Sequence, residues 1–408
     1  MIDVCYAIAD EKGTYSKFLG TSLWSLCQQH EAKDLHIHLL HDETLREKEK
    51  LRFRQAAMHF GQQLSFYNVE VLAAAELDYL RQELPQAGSS RYTYAAFYRL
   101  LAARILPPEV KRFIYFDADT VIHMDIAGLW QERLEDYPLA AVAEYDEGGE
   151  PADNPMVAAG WIDGRAYFNS GVLLVDREKF LAQGDILQAG LKRLKQLDGF
   201  DFYDQDILNA YFVNGYKHLN IAYNAFVPVL QLRKIQQLAP AVYHYDAGSL
   251  GLRENDAYDR LFYTVFSQTP WCDEDFLYRC FAQMERQHEM DLELARQAFS
   301  VASKRQRIFC ANEASQAAIQ ELFSLGEKDR YLTMCSDMDW AGRLSQYERV
   351  SPAGSRIYIL FSGQYGTIKR NLIAAGWQEG QDFMDGWLLL PEKYSGHLLR
   401  SPALIRNL

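Results

Sequence analysis

The sequence predicts an α/β protein: a mostly parallel central sheet with helices on both faces, followed by a smaller α/β domain. Three observations carry this. Short apolar runs alternate with longer segments whose apolar residues recur at helical spacing. The same alternation starts again after a break around Gln268 to Glu274, and 408 residues at ~100–200 per domain leave room for two or three cores.

Each element follows from its own pattern. Asp3 to Ala9 is an apolar run closed by Asp10, Glu11 and Gly13, and Tyr15 to His30 is apolar at helical spacing, so strand, loop and helix is the simplest reading. Leu35–His41 alternates as a strand does and leads through Asp42 into a charged helix with Leu45 and Leu51. A strand at Leu64–Val69, a helix at Tyr94–Ile105 and a very apolar strand at Arg112–Phe116 follow, with further strands at Leu139–Ala143, Gly171–Val175 and Val242–Tyr245. In a sheet of this kind the ligand sits beyond the carboxyl ends of the strands.

From Asp275 to Ser303 a charge-rich, glycine-free stretch reads as one or two helices, giving a helical connector over 266–304. Beyond it, Arg307–Ala311, Tyr331–Cys335 and Arg356–Phe361 read as strands, and Glu313–Ser324 and Gly366–Ala375 as helices. Residues 305–408 are therefore expected to form a Rossmann-like accessory domain. Its Ser362-Gly-Gln-Tyr-Gly366 loop is a degenerate phosphate-loop start, lacking a third glycine and a following acidic ribose ligand. Trp377 and Trp387 are either glycan-stacking or core residues.

Composition narrows the function. With 49% hydrophobic and 13% aromatic residues the chain is globular, and 42 basic against 55 acidic residues give a net charge of −13. A surplus of negative charge works against a nucleic-acid partner. No apolar run approaches the ~18–20 residues needed to span a bilayer, and the N-terminus lacks a signal-peptide pattern, so the expectation is a cytoplasmic protein not integral to a membrane. Cys5, Cys27, Cys272, Cys280, Cys310 and Cys335 are scattered without a C-x-x-C pair, as reduced thiols are.

The segment richest in chemistry is Arg112-Phe-Ile-Tyr-Phe-Asp-Ala-Asp-Thr-Val121. It delivers Asp117 and Asp119 two residues apart at the carboxyl end of a strand, where side chains i and i+2 point the same way. Two hard oxygen donors at that spacing suit Mn²⁺ or Mg²⁺ bridging to phosphate, or else they end the strand and cap a turn.

Upstream stands Thr93-Tyr-Ala-Ala-Phe-Tyr-Arg-Leu100, and downstream Tyr167-Phe-Asn-Ser-Gly-Val-Leu-Leu-Val175, Tyr203-Asp-Gln-Asp-Ile-Leu-Asn209 and Val242-Tyr-His-Tyr-Asp246. In this order the segments resemble the retaining glycosyltransferases of family 8, over roughly residues 1–265. The resemblance implies a GT-A type nucleotide-sugar-binding domain there and transfer of a hexose, galactose or glucose by preference, from a UDP-sugar to a glycan, glycolipid or glycoprotein acceptor. It implies Mn²⁺ (or Mg²⁺) bound by Asp117, Asp119 and His244, with Asp117 and Ala118 against the nucleotide-sugar.

By the same resemblance, Arg99 contacts phosphate or donor sugar, unless it is a helix arginine paired with a carboxylate. The backbone of Ala7 and Ala9 reads uracil, Asp10 or Glu11 binds ribose and Tyr15 stacks on the base; Ala7 and Ala9 are equally explained as small core residues. Asn169, Gly171, Asp204, Gln205 and Asp206 surround the sugar, though a tight turn would also account for Gly171. Asp204 and Gln205 are the catalytic candidates, serving either a glycosyl-enzyme or same-face attack in an ion pair stabilised by Gln205, the preferred route. One departure stands out. The family's late motif continues from its His through Gly to Lys-Pro-Trp, whereas His244 is followed by Tyr-Asp-Ala-Gly-Ser-Leu-Gly-Leu-Arg253. Gly248 would keep the turn and Arg253 would replace the lysine, or else the chain is a catalytically weak sugar-nucleotide binder. The C-terminal domain is left for acceptor positioning or for a protein partner or oligomer contact.

Overall fold

A computed structural model describes residues 1–88, 93–144, 155–197, 203–213, 215–245, 250–251, 253, 255–283, 286, 290, 305–311, 319–320, 327, 329–333, 344, 356–362 and 365–389. The chain divides into two compact units, Met1–Asp273 and Glu274–Leu408.

Among the described residues the first unit contributes ten strands: β1 (Ile2–Ile8), β2 (Leu35–His41), β3 (Gln63–Asn68), β4 (Arg112–Phe116), β5 (Thr120–Ile122), β6 (Leu139–Ala143), β7 (Phe168–Asp176), β8 (Lys217–His218), β9 (Ala225–Phe226) and β10 (Val242–His244). Seven form the main sheet in the order β3-β2-β1-β4-β7-β6-β8. All run parallel except β7, which is antiparallel to both β4 and β6. The inner strands are buried along nearly their whole length, as strands covered on both faces must be, and this is why they read as continuous apolar runs.

Helix Ser16–Gln28 packs on this sheet through Leu19, Leu23 and Leu26, all fully buried. Gly20 on the same helix admits the ring of Trp271, which also packs on Phe53 and donates its indole N–H to Glu49 at 2.6 Å. The first unit is thus anchored by a side chain beyond residue 265. A small sheet, β5-β10-β9, lies at its edge, with β5 antiparallel to β10 and Thr120 opposite His244. That pairing brings the end of β10 to the residues just after β4.

The second unit has β11 (Gln306–Ala311), β12 (Arg330–Thr333), β13 (Arg356–Leu360) and β14 (Phe383–Asp385) in a parallel sheet ordered β12-β11-β13-β14. Alternate residues bury opposite faces: Phe309, Ile357 and Ile359 on one, Ile308, Cys310, Tyr358 and Leu360 on the other. Helix Tyr365–Ala374 follows β13, and the half-buried Trp377 packs edge-on against Tyr358 at the side of the core. The helix expected at Glu313–Ser324 falls outside the described residues except 319–320, as do residues 291–304 of the connector, Cys335 and the side chain of Trp387. Among the described residues the cysteines are free thiols, and no helix is long and apolar enough to cross a membrane.

Candidate active site

The apolar strand β4 ends on Asp117, and a tight turn follows, in which the hydroxyl of Thr120 donates to the Asp117 carbonyl at 2.8 Å. Asp119 is carried round to β10, where the Tyr245 N–H donates to its carbonyl at 2.8 Å. His244, the last residue of β10, then places Nε2 3.4 Å from Asp119 Oδ1 and 3.8 Å from Asp117 Oδ2. One ligand atom from each of Asp117, Asp119 and His244 lies within 4.8 Å of the others. Asn224 takes the remaining histidine nitrogen, with its Oδ1 3.0 Å from Nδ1, which fixes the ring.

Burial opposes charge on His244, but the hydrogen bond and charge of Asp119 and the charge of Asp117 outweigh it and raise its pKa above the ordinary value. Two carboxylates and one imidazole converging in a largely buried space form a donor set that fits a divalent cation. Gly171 completes the fit: its amide carbonyl accepts from the Asp117 N–H at 2.8 Å, and a β-carbon there would collide with the His244 ring.

Arg99 stands behind this cluster. Its guanidinium grips Asp117 in bidentate fashion at 2.7 and 3.1 Å, donates to the Ser170 carbonyl at 2.9 Å, and pairs through Nε with Asp204 at 3.0 Å. Burial disfavours its charge, and Asp117 and Asp204 more than restore it. Arg99 is therefore a buried strut between two site carboxylates. Asp204 is driven the other way: burial outweighs the neighbouring Arg99 and lifts its carboxyl to about 6.

Helix Tyr203–Tyr211 supplies the next layer. Gln205 Oε1 accepts from the Ser170 N–H at 2.9 Å, and its amide nitrogen donates to Tyr167 Oη at 3.1 Å and to Glu144. Tyr167 in turn donates to Asp206 at 2.7 Å, and Asn209 clamps both backbone groups of Phe168. Asn169 accepts from the Gly171 N–H at 2.9 Å and from Asn224 at 2.8 Å, linking this layer to His244.

The sequence reading did not single out Glu144, Ser170, Tyr167, Asn209 or Asn224. Glu144 had a signal: like Asp117 it closes an apolar strand, and β6 runs parallel to β4, so both acids lie on one sheet edge. Burial raises its pKa. Asn224, in a 3₁₀ turn, carries no local signal.

The remaining candidates fall into two groups. Ala7 and Ala9 lie at the carboxyl end of β1, as the core-or-uracil alternatives both require. Asp10 is buried and its carboxylate accepts from the N–H groups of Thr14, Tyr15 and Ser16 at 2.7, 2.8 and 3.0 Å, and from the Ser16 hydroxyl. It serves the start of the following helix, leaving Glu11 as the exposed acid of this loop. Tyr15 is half-buried against Phe18, and Ala118 is buried between the two acids. Arg253 is engaged by Asp259, with Nε and a terminal nitrogen 2.7 and 2.6 Å from its oxygens. Gly248 lies outside the described residues.

A sheet of this topology with an acid-acid-imidazole group at its carboxyl edge defines a class, the GT-A type of nucleotide-sugar transferase fold. Residues 6–249, more than half the chain, match the profile of Glycosyl transferase family 8, and the chain belongs to that family. Its fold is similar to that of the galactosyltransferase LgtC, solved with donor and acceptor sugar analogs, with a TM-score of 0.52 and 21% identity over 67% of this chain and 99% of that one. It is 23% identical to General stress protein A of Bacillus subtilis (strain 168) over 298 residues, 69% of this chain and 95% of the relative. It is 24% identical to the lipopolysaccharide 1,3-galactosyltransferase of Salmonella typhimurium over 210 residues, 50% of this chain and 58% of that protein.

Proposed function

We propose that this chain is a metal-assisted retaining hexosyltransferase that moves galactose or glucose from a UDP-sugar to a glycan, glycolipid or glycoprotein acceptor. The observation that carries the reading is the convergence of Asp117, Asp119 and His244 within 4.8 Å, in a chain of family 8. The imidazole nitrogen in that set favours Mn²⁺ over Mg²⁺. A cation held there supplies Lewis acidity to the diphosphate as it leaves.

The chain's own groups do the rest. Arg99 keeps Asp117 oriented and is paired with the buried Asp204. Asp204 is tied through Oδ2 to Arg99 and to the Ser170 hydroxyl, a buried structural engagement that supports the ion-pair route over attack by this carboxylate. Gln205, braced by Ser170, Tyr167 and Glu144, offers a fixed amide dipole to the developing positive charge on the sugar. The leaving phosphate oxygen then takes the acceptor's proton. Ala7 and Ala9 offer their backbone to uracil, Glu11 its carboxylate to ribose, and Asn169 hydrogen bonds to sugar hydroxyls.

One observation favours a second reading, a weak UDP-sugar binder: Arg253, the cation in place of the missing lysine, is already gripped by Asp259. A panel of UDP-hexoses incubated with Mn²⁺ or with EDTA, read by mass spectrometry for released UDP, separates the two. Turnover restricted to Mn²⁺, with the α-configuration kept in the product by NMR, is expected. Mn²⁺-dependent UDP binding without turnover of any UDP-hexose supports the weak binder, and absence of both removes both readings.

A further inference from the structure

At the amino-terminal ends of β1 and β2, Asp3 stands in register with His36, and His38 two residues on points to the same face. Asp3 Oδ1 lies 2.9 Å from His38 Nε2 and 3.7 Å from His36 Nδ1, and one ligand atom from each residue lies within 4.8 Å of the others. A tetrahedral ion with bonds of ~2.0–2.1 Å holds its ligand atoms ~3.4 Å apart, and the two distances straddle that value. A carboxylate serving only to orient His38 would not account for His36 Nδ1, which faces the same oxygen from beyond hydrogen-bond range.

The outer nitrogens are also provided for. His38 Nδ1 is 3.0 Å from Tyr67 Oη and His36 Nε2 is 2.9 Å from Ser65 Oγ, both on β3. Each hydroxyl is able to accept from the ring nitrogen it faces, so that a cation displacing the proton His38 shares with Asp3 would find the inner nitrogens free to ligate, with the outer ones hydrogen-bonded as in metal-bound imidazoles. The two rings lie only 4.0 Å apart, so both imidazoles reach the same carboxylate.

We infer that Asp3, His36 and His38 form a second cation site, suited to Zn²⁺ with a water in the fourth position. It lies roughly 20 Å along β1 from Ala9, at ~3.3 Å per residue, and so is separate from the transferase site. The side chains of Asp3 and His36 are each about one-fifth exposed, which opens the fourth position to solvent, while that of His38 is fully buried.

Calorimetric titration of the full chain with Zn²⁺ alone tests this, using Asp119→Asn to disable the other cluster. Binding of one equivalent is expected to persist in Asp119→Asn and, with all further variants and the Co²⁺ loading made in that background, to weaken ~10–100-fold with Ser65→Ala and further with His36→Gln. Because His38 is buried and its replacement endangers folding, the partly exposed His36 and its partner Ser65 are the positions varied, and circular dichroism checks that each variant is folded. Co²⁺ loaded in place of Zn²⁺ is expected to give a tetrahedral absorption spectrum that His36→Gln abolishes. Zn²⁺ binding that disappears with Asp119→Asn, survives intact in folded His36→Gln, or is absent from the wild-type chain overturns the inference.

Discussion

Gly171 and His244 meet with no room for a methyl group between them: a β-carbon on the glycine would stand 2.2 Å from Cε1 and 2.7 Å from Nδ1 of the imidazole, and 2.9 Å from Asp117 Oδ2. The strand backbone of β7 is therefore one wall of the Asp117–Asp119–His244 cluster. Replacing Gly171 by Ala must displace His244 or bend β7. The expected result is a stability loss of ~1–3 kcal/mol, typical of overpacking, and loss of the Mn²⁺-dependent part of UDP affinity. Denaturant titration and calorimetry read both; full Mn²⁺ enhancement in the variant would show that His244 is not a ligand.

Asp119 has its carboxylate beside His244 and its backbone tied to Tyr245. Asp119→Ala removes one oxygen donor while leaving the backbone bond in place. UDP affinity in Mn²⁺ is expected to fall to the level measured in EDTA, with UDP affinity in EDTA unchanged. An Asp119→Ala chain that still binds UDP more tightly with Mn²⁺ than without it would refute the metal assignment.

Asp204 makes a pH prediction whose sign follows from its raised pKa. Its carboxyl titrates at about 6 in the folded chain against 3.8 ordinarily, so between these values the folded state holds more proton than the unfolded one. This contribution to stability is fully present below pH ~4 and is lost as pH rises through 6, with a slope of at most ~1.4 kcal/mol per pH unit. Urea denaturation from pH 4 to 7 is expected to show a shallower decline, or a rise, in Asp204→Asn relative to the wild type. Identical slopes would mean that Asp204 is not held up.

Trp271 is 3% exposed, stacks over Gly20 and bonds Glu49. Trp271→Ala should cost ~3–5 kcal/mol by opening a cavity against helix Ser16–Gln28. A chain ending at residue 265 lacks this anchor and is expected to melt well below one ending at residue 273. Equal melting temperatures would show that the anchor contributes nothing.

The legible part of the fold was the part governed by local pattern. β2, β4 and β6 were read to the residue because each is a short apolar or alternating run, and Asp117 and Asp119 were visible because an acidic pair ends such a run. The two-residue strands β8 and β9 have too few positions to show any period. The reversal of β7 was equally hidden, because strand direction depends on the path between strands and leaves no mark in a strand's own alternation.

The longer strands and helices, the acidic pair at the end of β4 and the likeness to family 8 followed from the sequence alone, since spacing within a few residues dictates which side chains share a face. Tertiary structure decided what those side chains touch. The pairing of β5 with β10 brought His244 to Asp119, Arg99 was spent on Asp117 and Asp204, Asp10 on its own loop, and Arg253 on Asp259. Each of these outcomes is a competition among partners that only folding brings within reach, and a buried charge takes whichever partner is nearest.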